Sequence, residues 1–175
     1  MTRTSRSIVV GVSVLALTAL TGASVALAVT PRGSSSVFQQ LTKSLQGEWH
    51  GTFQGTEITL TYTLTANDSA LMEEFRPQKG PVMITMFTVD GDHLIAAHYC
   101  SAGNQPYMAT AAITEPQAKR IAFALTNVTG LTTPDDWHNT ALVMTLEDDN
   151  HLTQEWTYLD KGSSGKTVFH FSRAQ

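Results

Sequence analysis

The segment from Ile58 to Thr65 alternates apolar and polar residues without a break, and this pattern constrains the fold more than any other feature. Ile58, Leu60, Tyr62 and Leu64 occupy every second position, with threonines between and after them. A period of two places the two sets of side chains on opposite faces, which is typical of a half-buried β-strand. We therefore expect this part of the chain to form a sheet with one apolar face.

Further segments have strand character, and short turn-forming sequences separate them. We predict additional strands at residues 48–53, 70–76, 82–89, 94–100, 107–114, 120–127, 138–147, 152–159 and 167–173. The residues between these segments are rich in Gly, Pro, Asn and Asp, which favour the backbone angles of tight turns. One longer connection, residues 128–137, has room for a short helix.

The number and spacing of these strands predict an all-β fold. Strands joined by tight turns are antiparallel, and about ten of them in sequence suit an up-and-down barrel. Closing the sheet gives every strand two neighbours and leaves no exposed edge. A β-sandwich is the alternative architecture.

The segment before the first strand has helical spacing. Val37, Leu41 and Leu45 fall on one face of a helix, which predicts a short helix from about Val37 to Leu45. Ser36 is a suitable N-cap, because its hydroxyl oxygen accepts a hydrogen bond from a free backbone N–H. Gly47 ends this helix, since glycine readily takes a positive φ after the last turn.

The N-terminal residues 1–28 have the features of a signal peptide. A basic start and an apolar run over residues 8–20 lead to an A-x-A motif that ends at Ala28. An uncleaved membrane anchor is the alternative, although the apolar run is shorter than the ~20 residues that a span needs. Cleavage after Ala28 leaves 147 of the 175 residues, divided into a linker at 29–36 and one barrel domain at 37–175.

The charge and cysteine content limit the partners of the mature chain. Loss of Arg3 and Arg6 leaves nine basic against fifteen acidic side chains, a formal net charge of −6. This charge disfavours nucleic acid and anionic membranes, because phosphate binding needs clustered cations. Cys100 is the only cysteine, so the domain has no internal disulfide. We expect an exported protein, periplasmic or secreted, without a stable membrane anchor after cleavage; its oligomeric state has no signal in the sequence.

Two motifs at opposite ends of the domain resemble a known barrel family. Gly47–Trp49 forms a G-x-W motif at the first strand, and Arg173 ends the last strand. This arrangement resembles the calycin pattern of lipocalins, fatty-acid-binding proteins and nitrobindins. The resemblance implies that Trp49 packs against Arg173 in a cation–π contact that closes one barrel end. Segments such as His98–Cys100 and Gln154–Trp156 are similar to a group of calycin-like bacterial barrels, exported or cytoplasmic, of unknown function.

Strand parity places three polar side chains on otherwise apolar faces. Glu73, His98 and Gln154 each lie two positions from large or small apolar residues of their own strand, and Trp156 shares the face of Gln154. Interior polar groups cost free energy unless they are hydrogen-bonded. We therefore expect Glu73, His98 and Gln154 to project into one shared cavity. A hydrated Glu73 at the barrel mouth and a purely structural His98 are the alternatives.

The turn at residues 101–106 carries two amides that suit a ligand. Asn104 and Gln105 each offer hydrogen-bond donors and acceptors, and we expect them near the rim of the cavity. Turn chemistry alone is the competing explanation. It accounts for Asn104, which caps its own backbone, but not for Gln105.

Two histidine patterns bear on metal and haem binding. His98 and Cys100 lie on one face of one strand, but no third ligand is recognisable by spacing, so we predict no metal. The proline-containing, glycine-rich first-strand signature of nitrobindins is not evident in Gly51–Ile58. Parity also points His170 to solvent, so we predict no haem or other cofactor.

These observations favour a barrel that binds a small apolar ligand. The predicted ligand-binding residues are Glu73, His98, Asn104, Gln105, Gln154 and Trp156. One alternative is an enzyme in which Glu73 or His98 acts as general acid or base. The other is an envelope structural protein whose barrel is filled by Met83, Met86, Phe87, Met108, Phe123, Met144 and Trp156.

Overall fold

A computed structural model describes residues 33–113 and 119–175, and the predicted signal peptide lies outside these residues. The described part contains helix α1 and strands β1 to β10. Their bounds are α1 Gly33–Leu45, β1 Gly47–Phe53, β2 Thr56–Thr65, β3 Ala70–Pro77, β4 Met83–Asp90, β5 His93–Tyr99, β6 Gln105–Thr110, β7 Arg120–Thr129, β8 His138–Leu146, β9 His151–Asp160 and β10 Ser163–Arg173. No helix in these two ranges is long and apolar enough to cross a membrane.

The ten strands form one closed antiparallel barrel, which confirms the predicted fold. Each strand pairs with its neighbours in the chain, and β10 returns to pair with β1. At this seam Trp49 lies opposite Arg173, and Gly51 lies opposite Phe171. Because the strands alternate in direction, every second turn lies at the same end of the barrel.

Helix α1 starts earlier than its sequence pattern indicates. It begins at Gly33, so Ser36 lies inside the helix rather than at its N-cap, and residues 33–36 of the predicted linker are helical. The helix ends at Leu45, and Gly47 follows with a φ of 110°, a conformation that favours glycine.

Several connections also differ from the predicted pattern. Strand β6 is Gln105–Thr110 instead of the predicted 107–114, and residues 111–113 are not in a strand. Lys161 and Gly162 have φ values of 49° and 76°, and they join β9 to β10 as a two-residue turn. Strand β10 therefore begins at Ser163, four residues before the predicted start. Residues 130–137 form turns and bends instead of the short helix for which they have room.

Helix α1 covers one end of the barrel. Its apolar face is fully buried, with Val37 and Leu45 both 0% exposed. The Ser34 hydroxyl donates to the carbonyl of Gly91 in the β4–β5 turn at 2.7 Å. The indole Nε1–H of Trp49 donates to the Leu45 carbonyl at 2.8 Å, which ties the end of α1 to β1.

Arg173 completes this closed end and confirms the predicted contact with Trp49. Its Cζ lies 4.2 Å from the centroid of the Trp49 ring. Its guanidinium donates to the carbonyls of Asp149 at 2.9 Å, Gln46 at 3.0 Å and Ser44. A cation at the last carbonyls of a helix also interacts favourably with the helix dipole.

The half of the barrel next to α1 is filled with large apolar side chains. Phe87, Met108, Phe123 and Met144 are each at most 1% exposed, and the rings of Phe87 and Phe123 lie 5.7 Å apart. Met86, expected among these core residues, is half-buried on the outer face of β4 because its neighbour Phe87 points inward. The remaining space lies in the other half of the barrel.

Candidate ligand-binding site

Glu73 lies at the centre of a buried hydrogen-bond network. Strand register places it opposite Tyr62 of β2 and Thr85 of β4. The Tyr62 hydroxyl donates to Glu73 Oε2 at 2.6 Å, and Thr85 Oγ1 lies 3.2 Å from Glu73 Oε1. From β9, across the barrel, Gln154 Nε2 donates to the same Oε2 at 2.5 Å. Glu73 and Gln154 are both 0% exposed.

Trp156 determines which way the Gln154 amide points. Its indole Nε1–H donates to Gln154 Oε1 at 2.9 Å, and an indole nitrogen has no acceptor function. Gln154 therefore directs its Nε2 towards Glu73 Oε2 and towards the Tyr62 hydroxyl oxygen, 2.8 Å away. Two donors converge on Oε2, so Oε1 is the position left for a proton on the Glu73 carboxyl.

Burial controls the charge of this network. It raises the pKa of the Glu73 carboxyl, and the hydrogen bonds from Tyr62, Gln154 and Thr85 only partly oppose that shift. Burial and the nearby carboxyl likewise raise the pKa of Tyr62 well above its usual value. In the described part of the chain, no Lys or Arg forms an ion pair with Glu73. The environment therefore favours the neutral carboxylic acid.

His98 extends the network towards the barrel interior. It lies opposite Thr85, and its Nδ1 is 2.9 Å from Thr85 Oγ1. Its ring centroid is 4.8 Å from that of Trp156. Burial lowers the pKa of His98 to about 4, so the imidazole is neutral at physiological pH. Which ring nitrogen carries the proton depends on the hydrogen bond with Thr85.

A partly open cavity of about 180 Å³ adjoins this network in the half of the barrel distant from α1. Its walls are mainly aromatic. Phe169 packs against Phe53 and Phe75 with centroid distances of 5.0 and 5.3 Å, and Trp156 and Tyr158 contribute from β9. Glu73, His98, Asn139 and Thr167 add polar groups to this lining.

The structure brings four of the six predicted ligand-binding residues together. Glu73, His98 and Trp156 line the cavity. Gln154 is hydrogen-bonded to Glu73 and Trp156 but is not itself part of the cavity wall. The arrangement thus consists of an apolar chamber with a hydrogen-bonded polar network at its inner end.

Asn104 and Gln105 do not line this cavity, contrary to their expected place at its rim. Asn104 is 2% exposed, and its Nδ2 donates to the Trp137 carbonyl at 2.6 Å. Gln105 Nε2 donates to the Gly103 carbonyl at 3.1 Å, and its Oε1 accepts from the Thr129 hydroxyl at 2.9 Å. The turn, the neighbouring strand β7 and the connection before β8 therefore satisfy Asn104 Nδ2 and both polar groups of Gln105, whereas the buried Asn104 Oδ1 has no partner among the described residues.

Sequence reasoning missed several residues of the site, and Tyr62, Thr85 and Asn139 show why. Tyr62 stood on the inward face of a recognised strand, and Thr85 was identifiable only from the register that places it opposite both Glu73 and His98. Asn139 reaches the cavity because the β8–β9 register shifts between Asn139 and Ala141. Such a bulge reverses strand parity and has no clear signature in a single sequence.

Of the three residues in the metal and haem patterns, His98 lines the cavity, whereas Cys100 and His170 do not. Cys100 is half-buried just after β5. In residues 33–113 and 119–175 no three His, Cys, Asp or Glu side chains are grouped so that they could hold a metal ion. His170 is exposed on the outer wall, with its Nδ1 3.0 Å from Thr153 Oγ1.

The fold defines the class of protein as a closed ten-stranded antiparallel barrel, and solved structures share it. One is Rv2717c from M. tuberculosis, with a TM-score of 0.54 and 11% identity over 79% of this chain and 98% of that chain. Another is a protein of unknown function from the DUF3598 family of Nostoc punctiforme, with a TM-score of 0.50 and 15% identity over 76% of this chain and 49% of that chain. No protein-family model and no curated protein matches the chain. At these identities the similarity shows the fold alone.

Proposed function

We propose that this protein is an exported barrel that binds a small, neutral, mainly apolar ligand. The observation that carries the proposal is the aromatic cavity with Glu73 and His98 in its lining. Apolar interiors are normally packed to high density, and a void costs stability. A barrel selected only for stability would fill this space, as it does next to α1.

The lining of the cavity indicates the charge of the ligand. Among the residues that the structure describes, no Lys or Arg side chain lines it, which disfavours an anion. A cation would have to pair with Glu73, whose Oε2 already accepts from Tyr62 and Gln154. A neutral molecule avoids the desolvation penalty of a buried, unpaired charge.

The size of the cavity limits the ligand to a single small ring system. The volume of about 180 Å³ is comparable with engineered apolar cavities of ~150 Å³, which hold benzene. Several aromatic side chains surround this space, and aromatic walls favour planar apolar rings. Larger ligands would require the mouth of the barrel to open.

The two other functions considered for this chain have less support. The filled-barrel interpretation fits the half next to α1, but the half that contains Glu73 and His98 is not filled. A general acid or base needs a proton-transfer group free to reach a substrate. Both oxygens of Glu73 lie within hydrogen-bond distance of protein groups, and burial lowers the pKa of His98 to about 4, which makes its imidazole a weak base.

Ethylbenzene, a neutral single-ring probe, tests the binding proposal. We expect it to raise the midpoint of thermal unfolding in a concentration-dependent manner, because it binds only the folded state. Thr167→Phe, which fills the cavity, should abolish that shift. The matched control is Val168→Phe, since the next residue lies on the outer face of the same strand. Equal responses in the two variants would contradict binding in this cavity.

Export is a separate part of the proposal and has its own test. It is supported by the basic start, the apolar run and the A-x-A motif at Ala28. N-terminal sequencing of the envelope or secreted fraction should find a chain that begins at Val29. An intact Met1 in the membrane fraction would refute cleavage.

A further inference from the structure

The hydroxyl of Thr85 connects Glu73 to His98 and can donate only one proton. Thr85 Oγ1 lies 3.2 Å from Glu73 Oε1 and 2.9 Å from His98 Nδ1. If Glu73 is ionised, the hydroxyl donates to Oε1 and accepts from an Nδ1–H of His98. If Glu73 is protonated on Oε1, the carboxyl donates to the hydroxyl, which in turn donates to Nδ1. The protonation of Glu73 therefore selects the tautomer of His98.

The surroundings of Glu73 favour its protonated form. The polar groups that face it are Tyr62 on β2, Thr85 on β4 and Gln154 on β9, with His98 on β5 behind Thr85. None of these side chains carries a positive charge at neutral pH, because burial lowers the pKa of His98 to about 4. A fully buried carboxylate without a cation is costly, so the carboxyl keeps its proton.

We propose that Glu73, acting through Thr85, holds His98 as the Nε2–H tautomer, so that the cavity presents a hydrogen-bond donor and selects neutral single-ring ligands with an acceptor such as a carbonyl oxygen. His98 lines the cavity, and its Nδ1 is engaged by Thr85, which leaves Nε2 for the ligand. This inference rests on the proposed function and names the chemical class of its ligand.

Acetophenone and ethylbenzene form a matched pair of probes for this selectivity. They have the same ring and similar size, but only acetophenone has a carbonyl oxygen. We expect calorimetric titration at pH 7 to give roughly tenfold tighter binding of acetophenone, as one added hydrogen bond to a buried donor would produce. Equal affinities of both probes would refute the donor while leaving the binding proposal intact. Failure of both probes to bind would instead refute the proposed function.

Three variants locate the selectivity in the Glu73–Thr85–His98 chain. His98→Phe removes the donor but keeps a ring, so both probes should bind equally. Thr85→Val breaks the link and should reduce the preference for acetophenone. Glu73→Gln should retain the preference for acetophenone. The carbonyl oxygen of the new side chain would take the place of Oε2, and its amide N–H would donate to Thr85 as the protonated acid does. Binding of ethylbenzene to each variant verifies that the cavity has folded.

The tautomer of His98 can be observed directly. Long-range ¹H–¹⁵N correlation spectra distinguish a protonated Nε2 from a protonated Nδ1. We expect the Nε2–H form in the wild type and in Glu73→Gln. An Nδ1–H form in the wild type that becomes Nε2–H in Glu73→Gln would show that Glu73 is ionised, and it would overturn the inference.

Discussion

Glu73 and His98 belong to one buried network in which burial disfavours the charged form of each side chain. An ion pair would have to recover the desolvation penalty of two charges, whereas a neutral chain of hydrogen bonds avoids it. The network gives both carboxyl oxygens of Glu73 a partner: two donors meet Oε2, and Thr85 lies between Oε1 and Nδ1 of the imidazole. This arrangement makes the stability of the protein depend on pH through two residues with opposite effects.

Glu73→Gln should change how stability responds to pH. The folded-state pKa of Glu73 is raised above 4.5, so the folded protein binds this proton more tightly than the unfolded chain. Ionisation of Glu73 in the unfolded chain therefore lowers the free energy of unfolding as pH rises from about 4.5 to the folded-state pKa. The Glu73→Gln variant should not show that loss. Above the folded-state pKa it should gain stability relative to the wild type, by ~1.4 kcal/mol for each unit by which folding raises the Glu73 pKa. Urea denaturation from pH 4 to 8 measures it, with the exposed Glu57→Gln as control.

His98→Gln should remove a pH effect of the opposite sign. The folded-state pKa of His98 is lowered from 6.5 to about 4, so the unfolded chain binds the proton more tightly. The wild type should therefore lose stability as pH falls from about 6.5 to 4, by roughly 3 kcal/mol from this residue. In His98→Gln that part of the acid sensitivity should be absent. The exposed His170→Gln should retain it; identical profiles for the two variants would contradict a buried, neutral His98.

At the scale of single elements, β1 and β10 determine how the barrel closes. Gly51 allows a close approach at this seam, because a Cβ at that position would lie 2.6 Å from the carbonyl oxygen of His170. Trp49 and Arg173 then join the seam to the C-terminal end of α1. Alternation predicted nearly all strand positions, but it could not predict the two-residue turn that lengthens β10 or the bulge that turns Asn139 inward, since both depend on strand pairing.

Substitutions at the Trp49–Arg173 contact should show how strongly closure depends on it. Trp49→Ala leaves a cavity in the filled end and should cost ~3–5 kcal/mol of unfolding free energy. Arg173→Ala removes the cation–π contact and three hydrogen bonds to carbonyls, and should cost ~1–3 kcal/mol. Arg120→Ala, at an exposed position on β7, is the control and should stay within ~0.5 kcal/mol. Equal unfolding midpoints for Arg173→Ala and Arg120→Ala in urea would show that closure does not use Arg173.

The barrel as a whole has two dissimilar ends. Large apolar side chains and α1 fill one end, whereas the other contains the cavity beside Glu73 and His98. The sequence indicated the inward polar residues, because parity is a property of each strand alone. It could not show that the side chains of Asn104 and Gln105 bind protein groups instead of lining the cavity, because that depends on the neighbouring strands and turns.

Barrel closure also predicts how the whole chain unfolds. Since β10 pairs with both β9 and β1, no group of strands is closed until the last strand is in place. We expect far-UV circular dichroism and tryptophan fluorescence to report one coincident, cooperative transition in urea.

A chain that ends at Gly162 would lack β10 and leave β1 and β9 as open edges, together with an exposed Trp49. It should fail to fold as a monomer and should aggregate, because unpaired edge strands pair with other chains. The control is a chain that ends at Ala174, which keeps the bond from the Ala174 N–H to the Glu48 carbonyl, lacks only Gln175 and should unfold like the wild type. A folded, monomeric protein without β10 would show that closure is not required for stability.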